Sequence, residues 1–192
     1  MVRPDRDRLR GCVEVDEIYI GGDEEGVRGR ETEDKMIVAV AAEEDGLGIG
    51  RIRLAKARDV SADSLRPFVE ASVAPGSVVH TDGWLGYSGI DKKGYTHKVT
   101  VLSQRDEPAH ELMPRVHRVA SLLKRWLLGT HQGAVSDKHL EYYLDEYTFR
   151  FNRRRSRARG LLFYRLLENA VTVDPVTYRD LVDGKTESDP NI

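Results

Sequence analysis

The chain has 192 residues, of which 40% are hydrophobic and 32% are charged, which is typical of a globular protein with one sizeable core. No apolar run reaches the roughly 18 residues of a membrane span, and the N-terminal segment MVRPDRDRLRGC has no apolar stretch, so we expect neither a transmembrane helix nor a secretory signal. The single cysteine, Cys12, excludes an internal disulfide and an all-cysteine zinc site, and we expect a cytoplasmic location.

The net charge of -2 conceals a basic block in the second half of the chain. Residues 1–110 hold 16 Lys and Arg against 21 Asp and Glu, and residues 166–192 hold 2 against 6. Residues 111–165, in contrast, hold 12 against 5. Such a block favours a surface that binds a polyanion, because neutralising phosphates releases condensed counterions. A solvated, salt-bridged helix face explains the charges equally well.

The first half of the chain is predicted to form strands separated by turns, with one crossover helix. Three strand-like runs come first and form an antiparallel meander, and the charged, glycine-interrupted segment 23–34 between the first two is predicted to be a loop. A helical period follows over 61–73, with Ser61 as the N-cap. Strands flank this helix, so at least one parallel pair is expected. The predicted strands are 13–20, 36–42, 49–55, 77–81 and about 95–102.

The second half of the chain is predicted to be helical, with segments near 114–128, 137–152 and 159–171. The predicted order is three antiparallel strands, a crossover helix, two more strands and then helices. This order is compatible with an α/β fold that has a ribonuclease-H-like core. In that core the sheet is mixed and five-stranded, its first three strands are antiparallel, and the last helices are C-terminal to it.

Asp16 lies inside a strand-like run, where aspartate is disfavoured. A carboxylate there has to be paired, solvated at a sheet edge or bound to a metal ion. Glu14 shares the face of Asp16, whereas Glu17 points to the opposite face and cannot easily share one ion with it. An edge strand with a solvated acidic face is the alternative explanation.

Asp82 ends a short apolar strand and precedes Gly83. Carboxylates at the carboxyl ends of strands in α/β sheets point into the crevice where ligands bind. An ordinary Asp-Gly turn is the alternative. Together with Asp16, Asp82 is a candidate ligand for Mg²⁺, which prefers oxygen donors and supports phosphodiester chemistry.

The predicted helix 114–128 offers a third candidate ligand. His117, Ser121 and Lys124 form one polar stripe, so His117 could bind a metal ion while Lys124 contacts phosphate. A half-exposed histidine on an amphipathic helix is the alternative. The neighbouring apolar stripe consists of Val116, Val119, Ala120, Leu123 and Leu127.

The segment 150–159, RFNRRRSRAR, carries six arginines. Arginine binds phosphate in a bidentate manner and its plane stacks on bases, which favours nucleic acid as the partner. A solvated linker between helices is the alternative. The residues expected to contact DNA are Lys124, Arg125, Arg150, Asn152, Arg153, Arg154 and Arg155.

Four long strings, in this order and spacing, resemble the ISXO2-like transposases of bacterial insertion sequences. The strings are VEVDEIYIGG at 13–22, HTDGWLGY at 80–87, HRVASLLKRWLLGTHQG at 117–133 and HLEYYLDEYTFRFNRR at 139–154. The resemblance covers roughly residues 11–170.

The resemblance implies a DDE transposase, with a ribonuclease-H-like core that cleaves and joins DNA strands at the ends of its own element by means of Mg²⁺, or Mn²⁺. By position, Asp16 and Asp82 match the first two catalytic aspartates, and His117 occupies the third position, where the wider group usually has Glu or Asn. Lys124 matches the basic residue that follows the triad. Double-stranded DNA and a second copy of the chain are the implied partners, and no membrane is involved.

Members of this family commonly carry an N-terminal zinc-ribbon-like region with cysteine pairs. Because Cys12 is the single cysteine, the chain is predicted to be a catalytic core alone, with an extension at 1–10, the catalytic domain at 11–171 and a flexible tail at 172–192. The alternative is a catalytically impaired DNA-binding remnant or regulator of the same element. A ribonuclease-H-like nuclease of host origin would use similar carboxylates but would not explain the strings after residue 117.

Overall fold

A computed structural model describes residues 6–21, 35–101, 109–132 and 135–183 of the chain. The predicted loop 23–34 and the last residues of the predicted tail, 184–192, lie outside the described residues. Within the described ranges, the strands are β1 (Cys12–Ile20), β2 (Met36–Asp45), β3 (Gly48–Ala57), β4 (Val78–Thr81) and β5 (Thr96–Val99). The α-helices are α1 (Ala62–Ser72), α2 (Ala109–Leu112), α3 (Pro114–His131), α4 (Leu140–Asn152), α5 (Gly160–Ala170) and α6 (Tyr178–Asp183).

The described strands form one mixed sheet in the order β3-β2-β1-β4-β5. The first three strands pair antiparallel, whereas β4 is parallel to both β1 and β5. The crossover from β3 to β4 runs through α1, as expected for strands that pair in parallel. This is the predicted α/β architecture with a ribonuclease-H-like core, which is therefore confirmed.

The chain divides into two compact units. The sheet unit, residues 7–135, contains the sheet and α1 to α3. The helical unit, residues 136–192 together with 1–6, contains α4 to α6. Leu9, which lies in the predicted N-terminal extension, is wholly buried and forms a bridge with Val73 in the sheet unit.

Each face of the sheet is covered by a different helix. On one face α1 packs Leu65 and Val69 against Val13 and Val15 of the central strand. Alternation along β1 turns Glu14, Asp16 and Ile18 to the opposite face, where α3 contacts β1 and β2. The predicted apolar stripe of α3 is buried throughout, namely Val116, Val119, Ala120, Leu123 and Leu127. Its burial stabilises the unit by about 1.5–3 kcal/mol for each large side chain.

In the helical unit, α4 buries one side along its length and α6 is tied to the turn that precedes α4. Lys138 donates a hydrogen bond to the carbonyl of Val182, and the His139 ring Nε2 lies 2.9 Å from the carbonyl oxygen of Leu181. The buried residues of α4 are Leu140, Leu144, Tyr147, Thr148 and Phe151. Among the helices of the described ranges, none has the length and apolar character needed to cross a membrane.

Candidate functional site

Asp16 lies in the middle of the central strand of the sheet. It pairs with Val40 of β2, and its side chain is only 8% exposed. Its Oδ1 atom accepts a hydrogen bond of 2.9 Å from the backbone N–H of Glu17. Because β1 has a neighbouring strand on each side, the alternative of a solvated acidic edge strand is wrong.

Asp82 follows β4 directly, and β4 lies next to the central strand that carries Asp16. The parallel pairing of β1 with β4 sets Glu14 opposite His80. The pairing ends there, two residues before Asp16 in β1 and two residues before Asp82 in the turn after β4. The side chain of Asp16 faces the side of the sheet that α3 covers, whereas the carboxylate of Asp82 is positioned by the turn after β4.

The turn after β4 is built from the residues of the HTDGWLGY string. Asp82 Oδ1 accepts a hydrogen bond of 2.9 Å from the backbone N–H of Trp84, and Gly83 has a φ of 86°. The Trp84 indole N–H donates to the carbonyl of Val60 at 2.7 Å, which anchors the turn to the residues before α1. Asp82 therefore does form the Asp-Gly turn, and that turn holds its carboxylate at the carboxyl end of β4.

Tyr87 closes the same string and connects it to the central strand. Its hydroxyl donates a hydrogen bond of 3.0 Å to Glu17 Oε2 in the core. Burial, followed by the negative charges of Glu17, Asp16 and Asp82, raises the pKa of the Tyr87 phenol well above its usual value of 10. The three carboxylates thus lie close enough to act electrostatically on a single hydroxyl. The sequence patterns did not identify Tyr87, although it stands inside the string that carries the resemblance.

Glu14 is a second residue whose role the sequence did not reveal. Its carboxylate, 2% exposed, accepts hydrogen bonds from the backbone N–H groups of Arg115 at 2.7 Å and Val116 at 2.9 Å. The Arg115 side chain adds an ion pair of 2.9 Å. Glu14 therefore fixes the start of α3 to the central strand, two residues before Asp16.

His117 projects from the first turns of α3 and is half-buried. It lines an open cavity of about 520 Å³ at the hairpin between β2 and β3. The remaining lining residues are Leu47, Ile49, Pro114, Arg115, Arg118 and Ser121. In residues 6–21, 35–101, 109–132 and 135–183, no three side chains of His, Cys, Asp and Glu form a group that could hold a metal ion. Asp16, Asp82 and His117 are therefore not assembled as a three-ligand centre.

The predicted DNA-contacting residues fall in both units. In the sheet unit, Lys124 and Arg125 are exposed on α3. In the helical unit, the Arg153 guanidinium stacks 4.0 Å from the ring centre of Phe149, and Arg154 stacks 3.9 Å from that of Phe151. These stacks hold the two guanidinium planes in place.

Three further members of that set lie around the end of α4. Arg150 pairs with Glu146 at 2.7 Å, one turn earlier on the helix. Asn152 is half-buried, and Arg155 is exposed. The basic segment is thus partly structured by its own aromatic and acidic neighbours, and five of its six arginines are exposed: Arg150, Arg154, Arg155, Arg157 and Arg159.

Comparison with known proteins places these features in a family. No curated protein matches the chain. The family model of the ISXO2-like transposase domain matches residues 8–152, which include the whole sheet, α3 and α4. Asp16, Asp82 and His117, and the strings that surround them, all lie inside the match. The chain therefore belongs to the ISXO2-like transposase domain family.

Proposed function

We propose that this chain is the catalytic core of a cytoplasmic DDE transposase that cleaves DNA strands and transfers them at the ends of an insertion sequence. The single observation that supports the proposal is the parallel pairing of β1 with β4, which ends at Glu14 and His80, two residues before Asp16 and Asp82 along the chain. Two carboxylates from neighbouring parts of one sheet suit metal-dependent phosphodiester chemistry.

The residues present suit a divalent cation. Mg²⁺ prefers oxygen donors, keeps several waters and is commonly bound by one or two carboxylates together with substrate phosphates. Asp16 and Asp82 supply such a pair, and His117 is the proposed third ligand. An imidazole suits Mn²⁺ better than Mg²⁺, so we expect Mn²⁺ to support more activity. When bound, the cation would polarise the phosphate and lower the pKa of an attacking water or 3′-hydroxyl.

The surrounding residues have separate tasks in this proposal. The buried carboxylate of Asp16 lies in a site of low water access, where its attraction for a cation is strong. The turn hydrogen bond from the Trp84 N–H orients the carboxylate of Asp82. Lys124 and Arg125, exposed on α3, would bind the phosphates of double-stranded DNA and so bring the strand to the two aspartates.

The decisive experiment is metal-dependent cleavage of a duplex that carries the element's terminal repeat. Asp16→Asn and Asp82→Asn should each abolish cleavage in Mg²⁺ and Mn²⁺ while DNA binding stays nearly unchanged. Asp63→Asn, which alters a solvent-accessible aspartate in the first turn of α1, is the matched control and should cleave like the parent. Retained cleavage in Asp16→Asn or Asp82→Asn would refute the assignment of these ligands.

We also propose that two copies of this chain associate as a dimer. Helix α5 exposes a stripe of large apolar side chains, with Tyr164 61% exposed and Leu167 46% exposed, beside the ion pair between Arg165 and Glu168. The apolar stripe would be buried against the same stripe of a second copy across a two-fold axis. Light scattering should therefore show a dimer that Tyr164→Glu converts to a monomer, whereas a parent that is monomeric at all concentrations would contradict this part.

A second function, DNA binding without catalysis, is favoured by one observation. Within the described ranges no third metal ligand joins Asp16 and Asp82. A chain of this kind would compete for the ends of the element without cutting them. This second function predicts DNA binding that weakens as the salt concentration rises, and no cleavage by the parent in Mg²⁺ or Mn²⁺.

A further inference from the structure

The helical unit contains a cavity of about 440 Å³ that the proposed chemistry does not use. It lies between the end of α4 and the outer part of α5. Its lining residues are Arg153, Arg165, Glu168, Asn169 and Thr172. Four of them, Arg165, Glu168, Asn169 and Thr172, have no part in the catalysis and DNA contacts proposed above.

The lining residues include two guanidinium groups and one carboxylate. Arg165 and Glu168 form an ion pair of 2.9 Å, both 62% exposed, so one positive charge is balanced inside the cavity. Arg153 is the second cation, and its guanidinium is stacked on Phe149 and donates a weak hydrogen bond of 3.4 Å to the Phe149 carbonyl. The lining thus offers two guanidinium groups beside one carboxylate, and guanidinium groups bind the oxygens of a phosphodiester.

The remaining walls are polar as well. Asn169 is 5% exposed, although it lies on a helix whose other large side chains are mostly exposed. The Thr172 hydroxyl donates to the Asn169 carbonyl at 2.9 Å and closes the end of α5 beneath the cavity. A buried amide next to two guanidinium groups is a typical setting for an anion that carries several acceptor oxygens.

We propose that this cavity binds one backbone phosphate of DNA, together with part of its sugar. The inference rests on the proposed function, because it requires DNA as the substrate. The volume exceeds what a free phosphate ion needs and falls in the range of small-ligand sites. Stacking on Phe149 fixes the plane of Arg153, so that less side-chain entropy is lost when the phosphate binds. The cavity is thus an anchor for the DNA strand in the helical unit.

The test is a binding titration of a labelled duplex in EDTA, at several salt concentrations. Arg165→Gln should weaken binding roughly threefold to tenfold and reduce the salt slope by about one. Glu168→Gln should have the opposite effect, because it removes the negative charge from the cavity. Both side chains are 62% exposed, so neither variant threatens folding. Arg179→Gln, on α6 and outside the cavity, is the matched control and should bind like the parent.

Several outcomes would overturn the inference. Equal affinities for Arg165→Gln, Glu168→Gln and Arg179→Gln would show that the DNA does not enter the cavity. If both Arg165→Gln and Glu168→Gln weakened binding at all salt concentrations, the ion pair would be structural only. If inorganic phosphate shifted the Asn169 amide signals in an NMR titration while DNA affinity stayed equal in all variants, the site would take free phosphate instead.

The failure of this inference can be distinguished from the failure of the proposed function. Binding is measured without divalent metal, whereas the proposed function is tested by metal-dependent cleavage. If the parent binds and cleaves DNA and all variants bind it equally, the inference about the cavity is refuted and the proposed function stands. If the parent does not bind DNA at all, both the inference about the cavity and the proposed function are refuted.

Discussion

The carboxylate of Glu14 caps the N-terminus of α3 at Arg115, 101 residues further along the chain. The first N–H groups of a helix have no partner within it, and they form the positive end of the helix dipole. Glu14 accepts two of them, and Arg115 also forms an ion pair of 2.8 Å with Glu44. One buried side chain therefore sets where α3, which carries His117, begins relative to Asp16.

Loss of this cap should be costly. Glu14→Ala leaves two helix N–H groups without their acceptor and removes the buried ion pair of Arg115, which keeps Glu44 and two backbone carbonyls as partners. Breaking a buried pair in this way costs about 3–5 kcal/mol. Glu14→Gln keeps an oxygen acceptor and should cost less. Glu44→Ala, which removes the more exposed partner of Arg115, should cost at most about 1 kcal/mol. Urea denaturation measures all three, and equal costs for Glu14→Ala and Glu44→Ala would contradict the capping role.

A glycine is required at position 83 for two reasons that can be separated. Gly83 has a φ of 86°, and a Cβ there would lie 2.9 Å from Val99 Cγ1. Gly76 has a φ of 83°, but a Cβ added there would meet no atom within 4 Å. Both alanine variants bear the strain of the left-handed conformation, so Gly83→Ala should lose about 1–3 kcal/mol more than Gly76→Ala. Thermal unfolding measures the loss of stability in each variant. Equal losses would show that β5 moves away from the added Cβ without a loss of stability.

The hydrogen bond from Tyr87 to Glu17 should stabilise the fold more than an ordinary tyrosine hydrogen bond. Tyr87→Phe leaves a buried carboxylate oxygen without its donor, which costs about 1.5–3 kcal/mol for a charged acceptor. Tyr95→Phe is the matched control, because the Tyr95 hydroxyl donates at the same distance of 3.0 Å to the neutral carbonyl of Val73. It should cost about 0.5–1.5 kcal/mol. A larger loss for Tyr95→Phe than for Tyr87→Phe in urea would reverse this ranking.

The sheet could be predicted from the sequence because each strand has a recognisable residue pattern within its own length. Alternation over 49–55 and the apolar run 36–42 appear as β3 and β2, each slightly longer than predicted. Asp16 was noticeable because a carboxylate is disfavoured inside a strand, and Asp82 because it precedes a glycine. Each of these signals is contained within a few residues, which is why the pattern alone predicts the strands and selects the two aspartates as candidates.

The roles of Glu14 and Tyr87 could not be predicted in the same way. Their partners lie 101 and 70 residues away, and the contacts exist only once the sheet has formed. The basic segment shows a second limit. Counting its arginines does not reveal that Arg153 and Arg154 stack on phenylalanine rings, because that depends on where α4 ends.

His97 should make stability depend on pH. Burial lowers the pKa of its ring below the usual 6.5, with Asp91 partly opposing the shift, and its Nε2 lies 2.9 Å from Thr81 Oγ1. Below pH 6.5 the unfolded chain therefore binds more protons than the folded chain, so stability falls as the pH decreases from about 6.5 through the lower folded pKa. His97→Gln should show a shallower fall in Tm between about pH 7 and 5. If the slope is unchanged in His97→Gln, groups other than His97 cause the dependence of stability on pH.

His117 is the third ligand in our proposal. A neutral imidazole leaves the site with two negative charges instead of three, so cation affinity should be lower than with an acidic triad. His117→Glu should therefore preserve or improve cleavage in Mg²⁺, whereas His117→Ala should reduce it strongly. Ser121→Ala, one turn further along the same stripe of α3, is the matched control and should cleave like the parent. If His117→Ala equalled the parent in both Mg²⁺ and Mn²⁺, His117 would not be a ligand, and Glu111 on α2 would be the next candidate.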